Sequence, residues 1–82
     1  MIPIQELLDR IRWDPRFGAA RFEVGYYDRL EGGIVRVPFE NLSFPEGQHF
    51  MIDVVAPDGA VHSVPLHRIR VLWRDGQPIW RR

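Results

Sequence analysis

The sequence has 82 residues, no cysteine and a formal net charge of zero, because eleven arginines balance eleven acidic residues. The length predicts a single domain over residues 1–82, and the lack of cysteine excludes disulfide and thiolate–metal staples, so apolar packing must stabilise the fold. A neutral charge argues against a protein that follows a long nucleic acid backbone, but it is compatible with one that holds a single terminal phosphate.

The first segment has the pattern of an amphipathic helix. Ile4, Leu7, Leu8 and Ile11 recur at the i, i+3, i+4, i+7 spacing of one apolar stripe. Pro15 is expected to end this helix and to leave the side chains just before it near the core. Because this segment is charged, we do not expect it to be a signal peptide, and no apolar run reaches the roughly 20 residues of a membrane span. We therefore expect a soluble, cytoplasmic protein.

From residue 21 onward the pattern changes to period two, as in strands. In the first of these runs Phe22, Val24 and Tyr26 share one face, and Tyr27 is the tyrosine that we expect to be exposed. Pro38 cannot donate to a ladder, so the second strand should end there or lie on an edge. Between about Glu40 and His49 the composition favours a loop.

The later runs add three or four short strands. Phe50, Ile52 and Val54 share one face, and Asp58-Gly59 and Asp75-Gly76 are turn signals. Near the end of the sequence, alternation places His67, Ile69, Val71 and Trp73 on the core face. Trp13, at the end of the helix, is likewise expected to fold onto the core. The predicted fold is α+β: an N-terminal helix followed by a bent antiparallel sheet or small open barrel of five or six short strands.

Several classes of chemistry find little support in the sequence. His49, His62 and His67 have no familiar zinc-ligand spacing. The glycines do not form a phosphate-binding loop, and neither serine lies on a nucleophile elbow. We therefore expect no metal and no other cofactor. An acid–base pair of His62 and His67 acting on an RNA phosphodiester stays open as an alternative.

The arginines Arg29, Arg68 and Arg70 allow two interpretations. They are either ordinary solvated side chains or, where they converge, part of an anion pocket, for which we expect Arg29 and Arg68 together with His67. Asp28 either orients a guanidinium group or simply ends its strand. Because alternation points His67 and Arg68 to opposite faces, the two can share a pocket only through a bulge or a turn at Pro65-Leu66.

Four runs together carry a resemblance to a known family. They are Arg12-Trp13-Asp14-Pro15, Val24-Gly25-Tyr26-Tyr27-Asp28-Arg29, Pro65-Leu66-His67-Arg68-Ile69-Arg70 and Trp80-Arg81. In this order and at these separations they resemble the RNA cyclic-group-end recognition domain, formerly domain of unknown function five-hundred-four. The resemblance extends from about Ile4 to Arg81. The sequence departs from the family pattern at two places. Arg36 lies where relatives often have an acidic residue, and Trp80 is followed directly by Arg81, whereas relatives often have an acidic residue between the two.

The resemblance implies a non-catalytic module that recognises RNA 3′ ends carrying a cyclic phosphate. It also implies RNA-processing phosphoesterases or ligases as partners. Binding to DNA or to a membrane is not expected. The polar residues that match the family runs are Arg12, Asp14, Tyr26, Asp28, Arg29, His67, Arg68 and Arg81. Tyr27 is added as a surface on which a base could stack.

Two other functions stay open beside RNA-end binding. One is a protein-interaction or assembly module that uses a free sheet edge or the loop between Glu40 and His49. The other is a weak RNA phosphodiesterase that uses His62 and His67.

Overall fold

The apolar stripe of the first segment forms the predicted helix. In the computed structural model, which describes residues 2–82, helix α1 spans Ile4–Trp13 and buries Ile4, Leu7, Leu8 and Ile11 against the sheets. The helix ends at Asp14, whose backbone is extended because Pro15 follows it. Within residues 2–82, no helix is both long enough and apolar enough to cross a bilayer.

Seven antiparallel strands follow the helix, in two separate sheets. They are β1 (Phe22–Asp28), β2 (Gly33–Pro38), β3 (Leu42–Ser43), β4 (Met51–Val55), β5 (Val61–Pro65), β6 (Ile69–Arg74) and β7 (Gln77–Arg81). The larger sheet has the order β2-β1-β6-β7, and the smaller has the order β3-β4-β5. The α+β class is confirmed, but the single bent sheet or open barrel is corrected to sheets of four and three strands. The additional strand is β3, a two-residue strand inside the predicted loop.

The chain passes from one sheet to the other after β2 and again after β5, and each of these strands ends at a proline. Pro38 ends β2 and is followed by a 3₁₀ turn, Phe39–Asn41, which we call the first corner. Pro65 ends β5 and is followed by a second 3₁₀ turn, Leu66–Arg68, which we call the second corner. Both strands are edge strands, where a residue without an N–H group can be accommodated. The prediction for Pro38 is confirmed.

The second of the two predicted turns, Asp75-Gly76, forms as expected. Asp75 and Gly76 connect β6 to β7 with φ angles of 49° and 82°, as a two-residue hairpin of the primed type requires. The same aspartate accepts a hydrogen bond from the backbone N–H of Arg21 at 3.0 Å, and its own N–H donates to the Arg21 carbonyl at 2.7 Å. The hairpin tip is therefore tied to the start of β1.

A bulge changes which residues of β6 face the core. Gly25 pairs with Val71, but the next residue of β1, Tyr26, pairs with Ile69. Arg70 is thus an extra residue in the ladder, and the faces of β6 exchange at this point. Ile69 and Leu72 are fully buried, whereas Val71 and Trp73 are half-buried, so the alternation predicted for β6 is wrong beyond Ile69.

Two aromatic residues that were expected near the core are exposed instead. Trp13 lies two residues beyond Ile11, about 200° around the helix from the buried stripe, and its side chain is 72% exposed. Phe50 precedes β4 and is 79% exposed. Ile52 and Val54, which share its predicted face, are buried as expected. Both exposed rings are therefore free to contact a ligand or partner.

Candidate functional site

An open cleft of about 610 Å³ lies between the end of β1 and the smaller sheet. We call it the inter-sheet cleft. Its floor is apolar and comes mainly from β2, β4 and β5. Its polar lining consists of Tyr26, Tyr27, Asp28, Arg29, Glu31, Asn41, His62, Ser63 and Arg68. The fold therefore brings five of the eight predicted site residues, Tyr26, Tyr27, Asp28, Arg29 and Arg68, to one place.

Tyr26 combines a buried ring with an available hydroxyl group. The residue is 7% exposed and lines the cleft. Within residues 2–82, no polar side-chain atom is both buried and without a hydrogen-bond partner, and none of the hydrogen bonds found there involves the Tyr26 hydroxyl, so this hydroxyl is not fully sealed from solvent. Burial raises the pKa of Tyr26, and the carboxylates of Asp28 and Glu31 raise this pKa further. The hydroxyl is therefore a neutral donor at physiological pH.

Asp28 ends β1 and shapes the turn that carries Arg29. Its Oδ1 accepts hydrogen bonds from the N–H groups of Leu30, at 2.8 Å, and Glu31, at 3.4 Å. Its carbonyl accepts one from Gly32 at 2.8 Å. Of the two roles considered for this aspartate, the structure shows the strand-ending one. Arg29 follows at the exposed rim of the cleft.

The second corner carries Arg68 into the inter-sheet cleft but leaves His67 outside its lining. The turn after Pro65 that the shared pocket required is present, yet only Arg68 of the two faces the cleft. The expectation that His67 lies on the core face is wrong, because this residue lies in a 3₁₀ turn, where strand alternation does not apply, and it is exposed.

Two other arginines hold the backbone of the second corner. The Arg82 guanidinium donates to the carbonyl oxygens of Leu66, at 2.9 Å, and Ile69, at 3.0 Å. Arg70 donates to the carbonyl of His67 at 3.1 Å. The residues of the run from Pro65 to Arg70 thus differ in role, since Arg68 lines a cleft while Arg70 stabilises the turn.

A second cleft, of about 550 Å³, lies between α1 and the segment from Phe44 to His49. We call it the helix cleft. Arg12, a predicted site residue, lines it together with Trp13. The Arg12 guanidinium carbon lies 4.2 Å from the Phe44 ring centroid and 4.7 Å from that of Trp13. Arg12 is therefore separated from the residues of the inter-sheet cleft and lies in an aromatic environment.

The remaining residues from the family runs lie elsewhere. Arg81 is exposed on β7, opposite Val71, and lines neither cleft. Asp14 accepts hydrogen bonds from the N–H groups of Arg16 and Phe17 and so caps the 3₁₀ turn after α1. Arg36 pairs with Glu23 at 2.8 Å and lies over the Trp73 ring, so this departure from the family pattern does not alter either cleft.

Among the residues at the clefts or beside them that sequence reasoning did not assign to the site are Asn41, Trp13 and Arg82. A sequence signal existed for Asn41. Val37-Pro38 and Val64-Pro65 each begin the same strand–proline–turn arrangement, and Asn41 and Arg68 are the third residues of the two corners. No comparable signal marks Arg82, whose acceptors are backbone carbonyls of another segment. Within residues 2–82, no group of three or more acidic or histidine side chains could hold a metal ion.

One helix packed on two small antiparallel sheets, with an open cleft between the sheets that two arginines help to line, defines a small α+β domain with a candidate ligand site. Residues 1–82, the whole chain, match the family described as the MJ1316 RNA cyclic group end recognition domain. The chain belongs to this family, and the resemblance seen in the four sequence runs is confirmed. No solved structure matches the chain.

Proposed function

We propose that this protein binds RNA 3′ ends carrying a cyclic phosphate in the inter-sheet cleft and does so without catalysis. The observation that supports the proposal is that Arg29, Arg68 and Tyr26 line one open cleft. A cyclic phosphate is a compact monoanion, and it needs only a few donors of this kind. The zero net charge of the chain is compatible with such a ligand.

The cleft also offers a reason for discrimination among RNA ends. Asp28 and Glu31 line the same cleft as the two arginines. A linear terminal phosphate carries up to two negative charges near neutral pH, and because two carboxylates offset the two arginines, the cleft has no excess positive charge to balance the second one. A hydroxyl end offers no charge to the guanidinium groups at all. The valines of the floor suit the apolar face of a ribose.

Recognition fits the arrangement of histidines better than catalysis does. A phosphodiesterase of the type considered would need His62 and His67 on either side of the phosphate. His62 lines the inter-sheet cleft, whereas His67 is not part of its lining. The family description likewise names recognition.

The test is to compare short RNAs that differ only in the 3′ end, as a cyclic phosphate, a linear phosphate or a free hydroxyl, by calorimetry. We expect the cyclic end to bind most tightly. Arg68→Ala and Arg29→Ala should each weaken that binding about 10- to 100-fold, because each removes a charge-assisted hydrogen bond worth roughly 1.5–3 kcal/mol.

Arg16→Ala is the matched control, since Arg16 is exposed and lines neither cleft. Equal affinity for the three ends would contradict the proposal and favour the protein-interaction alternative. Mass spectrometry of the RNA after prolonged incubation should show an intact cyclic end; an opened ring would replace recognition with phosphodiesterase activity.

A further inference from the structure

The helix cleft contains an aromatic surface that the packing of the fold does not need. Trp13 is 72% exposed, although tryptophan is usually largely buried. The Arg12 guanidinium packs against both Trp13 and Phe44. A flat ligand can therefore stack on the exposed indole beside a guanidinium group.

The polar lining of the helix cleft suits an uncharged ring with donors and acceptors on its edge. Gln5 and Gln48 offer amide groups of both kinds, and Asp9 and Glu46 offer acceptors. Because the two carboxylates offset the charge of Arg12, the cleft does not favour a phosphate. A nucleobase meets these conditions, since it has a polar edge and a flat face that stacks on indole or guanidinium groups.

The second corner lies between the two clefts. Leu66 lines the helix cleft and Arg68 lines the inter-sheet cleft. These residues are two positions apart in a 3₁₀ turn, which corresponds to about 4 Å along its axis. His67, between them, is exposed. A strand whose terminal phosphate lies beside Arg68 can thus continue past His67 to Leu66, at the helix cleft that Trp13 also lines.

We infer that the helix cleft binds the base of the nucleotide that precedes the RNA 3′-terminal one, stacked on Trp13 beside Arg12. This inference rests on the function proposed above for the inter-sheet cleft. On this inference the protein recognises two nucleotides. The inter-sheet cleft binds the end group, and the helix cleft binds the preceding base. Stacking tolerates every base, so sequence preference should be weak.

The first experiment compares a nucleoside 2′,3′-cyclic phosphate with a dinucleotide that ends in the same group. Wild-type protein should bind the dinucleotide about 5- to 100-fold more tightly, the range for stacking one base on an aromatic side chain. Trp13→Ala should abolish this difference and leave the affinity for the mononucleotide unchanged. Trp13→Phe should retain most of it.

Phe50→Ala is the matched control, because Phe50 is also exposed, at 79%, but does not line the helix cleft. This variant should bind the dinucleotide like the wild type. If mononucleotide binding is seen but the dinucleotide gains nothing, or if Trp13→Ala keeps the gain, the inference is overturned while the proposed function stands.

A second measurement separates the two clefts completely. A dinucleotide with a free 3′ hydroxyl, at millimolar concentration, should quench tryptophan fluorescence in the wild type and not in Trp13→Phe. Quenching without any binding of cyclic phosphates would refute the proposed function and support the base site. Absence of quenching would overturn the base site, whatever the cyclic phosphate does.

Discussion

At the scale of single residues, Tyr26 connects the core to the proposed anion site. Its ring packs in the core beside Ile69, its partner on β6, and its hydroxyl remains available in the inter-sheet cleft. Since burial and the neighbouring carboxylates raise the pKa of Tyr26, the hydroxyl stays protonated and can donate to an anion. The ring of Tyr26 therefore has a structural role, whereas its hydroxyl group is available to a ligand.

The first prediction concerns removal of the Tyr26 hydroxyl group. Tyr26→Phe keeps the ring and should weaken binding of a cyclic phosphate about 10- to 100-fold, because a hydrogen bond to a charged group contributes roughly 1.5–3 kcal/mol. The free energy of unfolding should change little, since no hydrogen bond to this hydroxyl is seen in the described part of the chain, residues 2–82. Calorimetry and urea unfolding measure the two quantities.

Tyr27→Phe is the control for this substitution, because Tyr27 lines the same cleft but is 38% exposed. A stacking role for Tyr27 needs only the ring, so this variant should bind like the wild type. Unchanged affinity in Tyr26→Phe would show that the buried tyrosine does not contact the phosphate.

Gly25, within one of the family runs, has a purely structural explanation. A Cβ atom at this position would lie 2.7 Å from Cη2 of Trp73 and 2.9 Å from Cγ2 of Ile34. The Trp73 ring thus lies directly over the glycine, beside the bulge between β1 and β6. This part of the run reflects packing of the larger sheet rather than ligand binding.

We predict that Gly25→Ala lowers the free energy of unfolding by about 1–3 kcal/mol, the usual cost of overpacking. Urea denaturation is the measurement. Gly33→Ala is the matched control, since a Cβ there would meet nothing within 4 Å, and it should be neutral or slightly stabilising. If the two alanine variants are equally stable, the close approach of Trp73 is not what requires a glycine.

At the scale of elements, the two corners determine the shape of the site. Each carries the chain from an edge strand of one sheet into the other sheet, and each contributes its third residue to the inter-sheet cleft. The second corner is further held by Arg82, whose guanidinium donates to the Leu66 carbonyl within the corner and to the Ile69 carbonyl just after it. Arg82 therefore positions Arg68 without lining the cleft itself.

We predict that Arg82→Ala lowers the free energy of unfolding by about 1–2 kcal/mol, because two carbonyl groups lose a charged donor. It should also speed hydrogen exchange at the Ile69 amide, which closes the turn onto Leu66. Arg81→Ala removes the same charge from the neighbouring exposed position and should change stability by less than about 0.5 kcal/mol. Equal effects of the two substitutions would contradict a specific role for Arg82.

At the scale of the whole molecule, charge limits the way in which RNA can be bound. The net charge is zero, and the two arginines of the inter-sheet cleft are accompanied by two acids. Such a surface can hold an end group but cannot follow a long backbone, because each additional phosphate would need its own positive partner. The module should therefore be indifferent to RNA length beyond the last few nucleotides.

Salt dependence tests this directly. With one or two phosphates neutralised, the logarithm of the association constant should fall against the logarithm of salt concentration with a slope of only about −1, given roughly −0.7 per phosphate for single strands. RNAs of 5 and 20 nucleotides with the same cyclic end should bind equally well. A slope several times steeper, or affinity that grows with length, would indicate backbone tracking.

Local pattern alone determined much of this fold. The apolar stripe of α1, the end of β2 at Pro38 and the Asp75-Gly76 hairpin each depend on residues that are close in sequence, and all three are as predicted. The family runs also identified Arg29, Arg68 and Tyr26, which the fold brings to one cleft.

Other features depend on pairing between distant segments, which only the tertiary structure decided. The bulge at Arg70 arises in the ladder with β1, and a single extra residue reverses the faces of β6. Arg82 reaches the second corner only because β7 pairs with β6. Local periodicity carries no information about a ladder irregularity or a side chain's acceptor on another strand, so the sequence could identify the arginines of the site but could not tell which of them line a cleft and which hold the backbone.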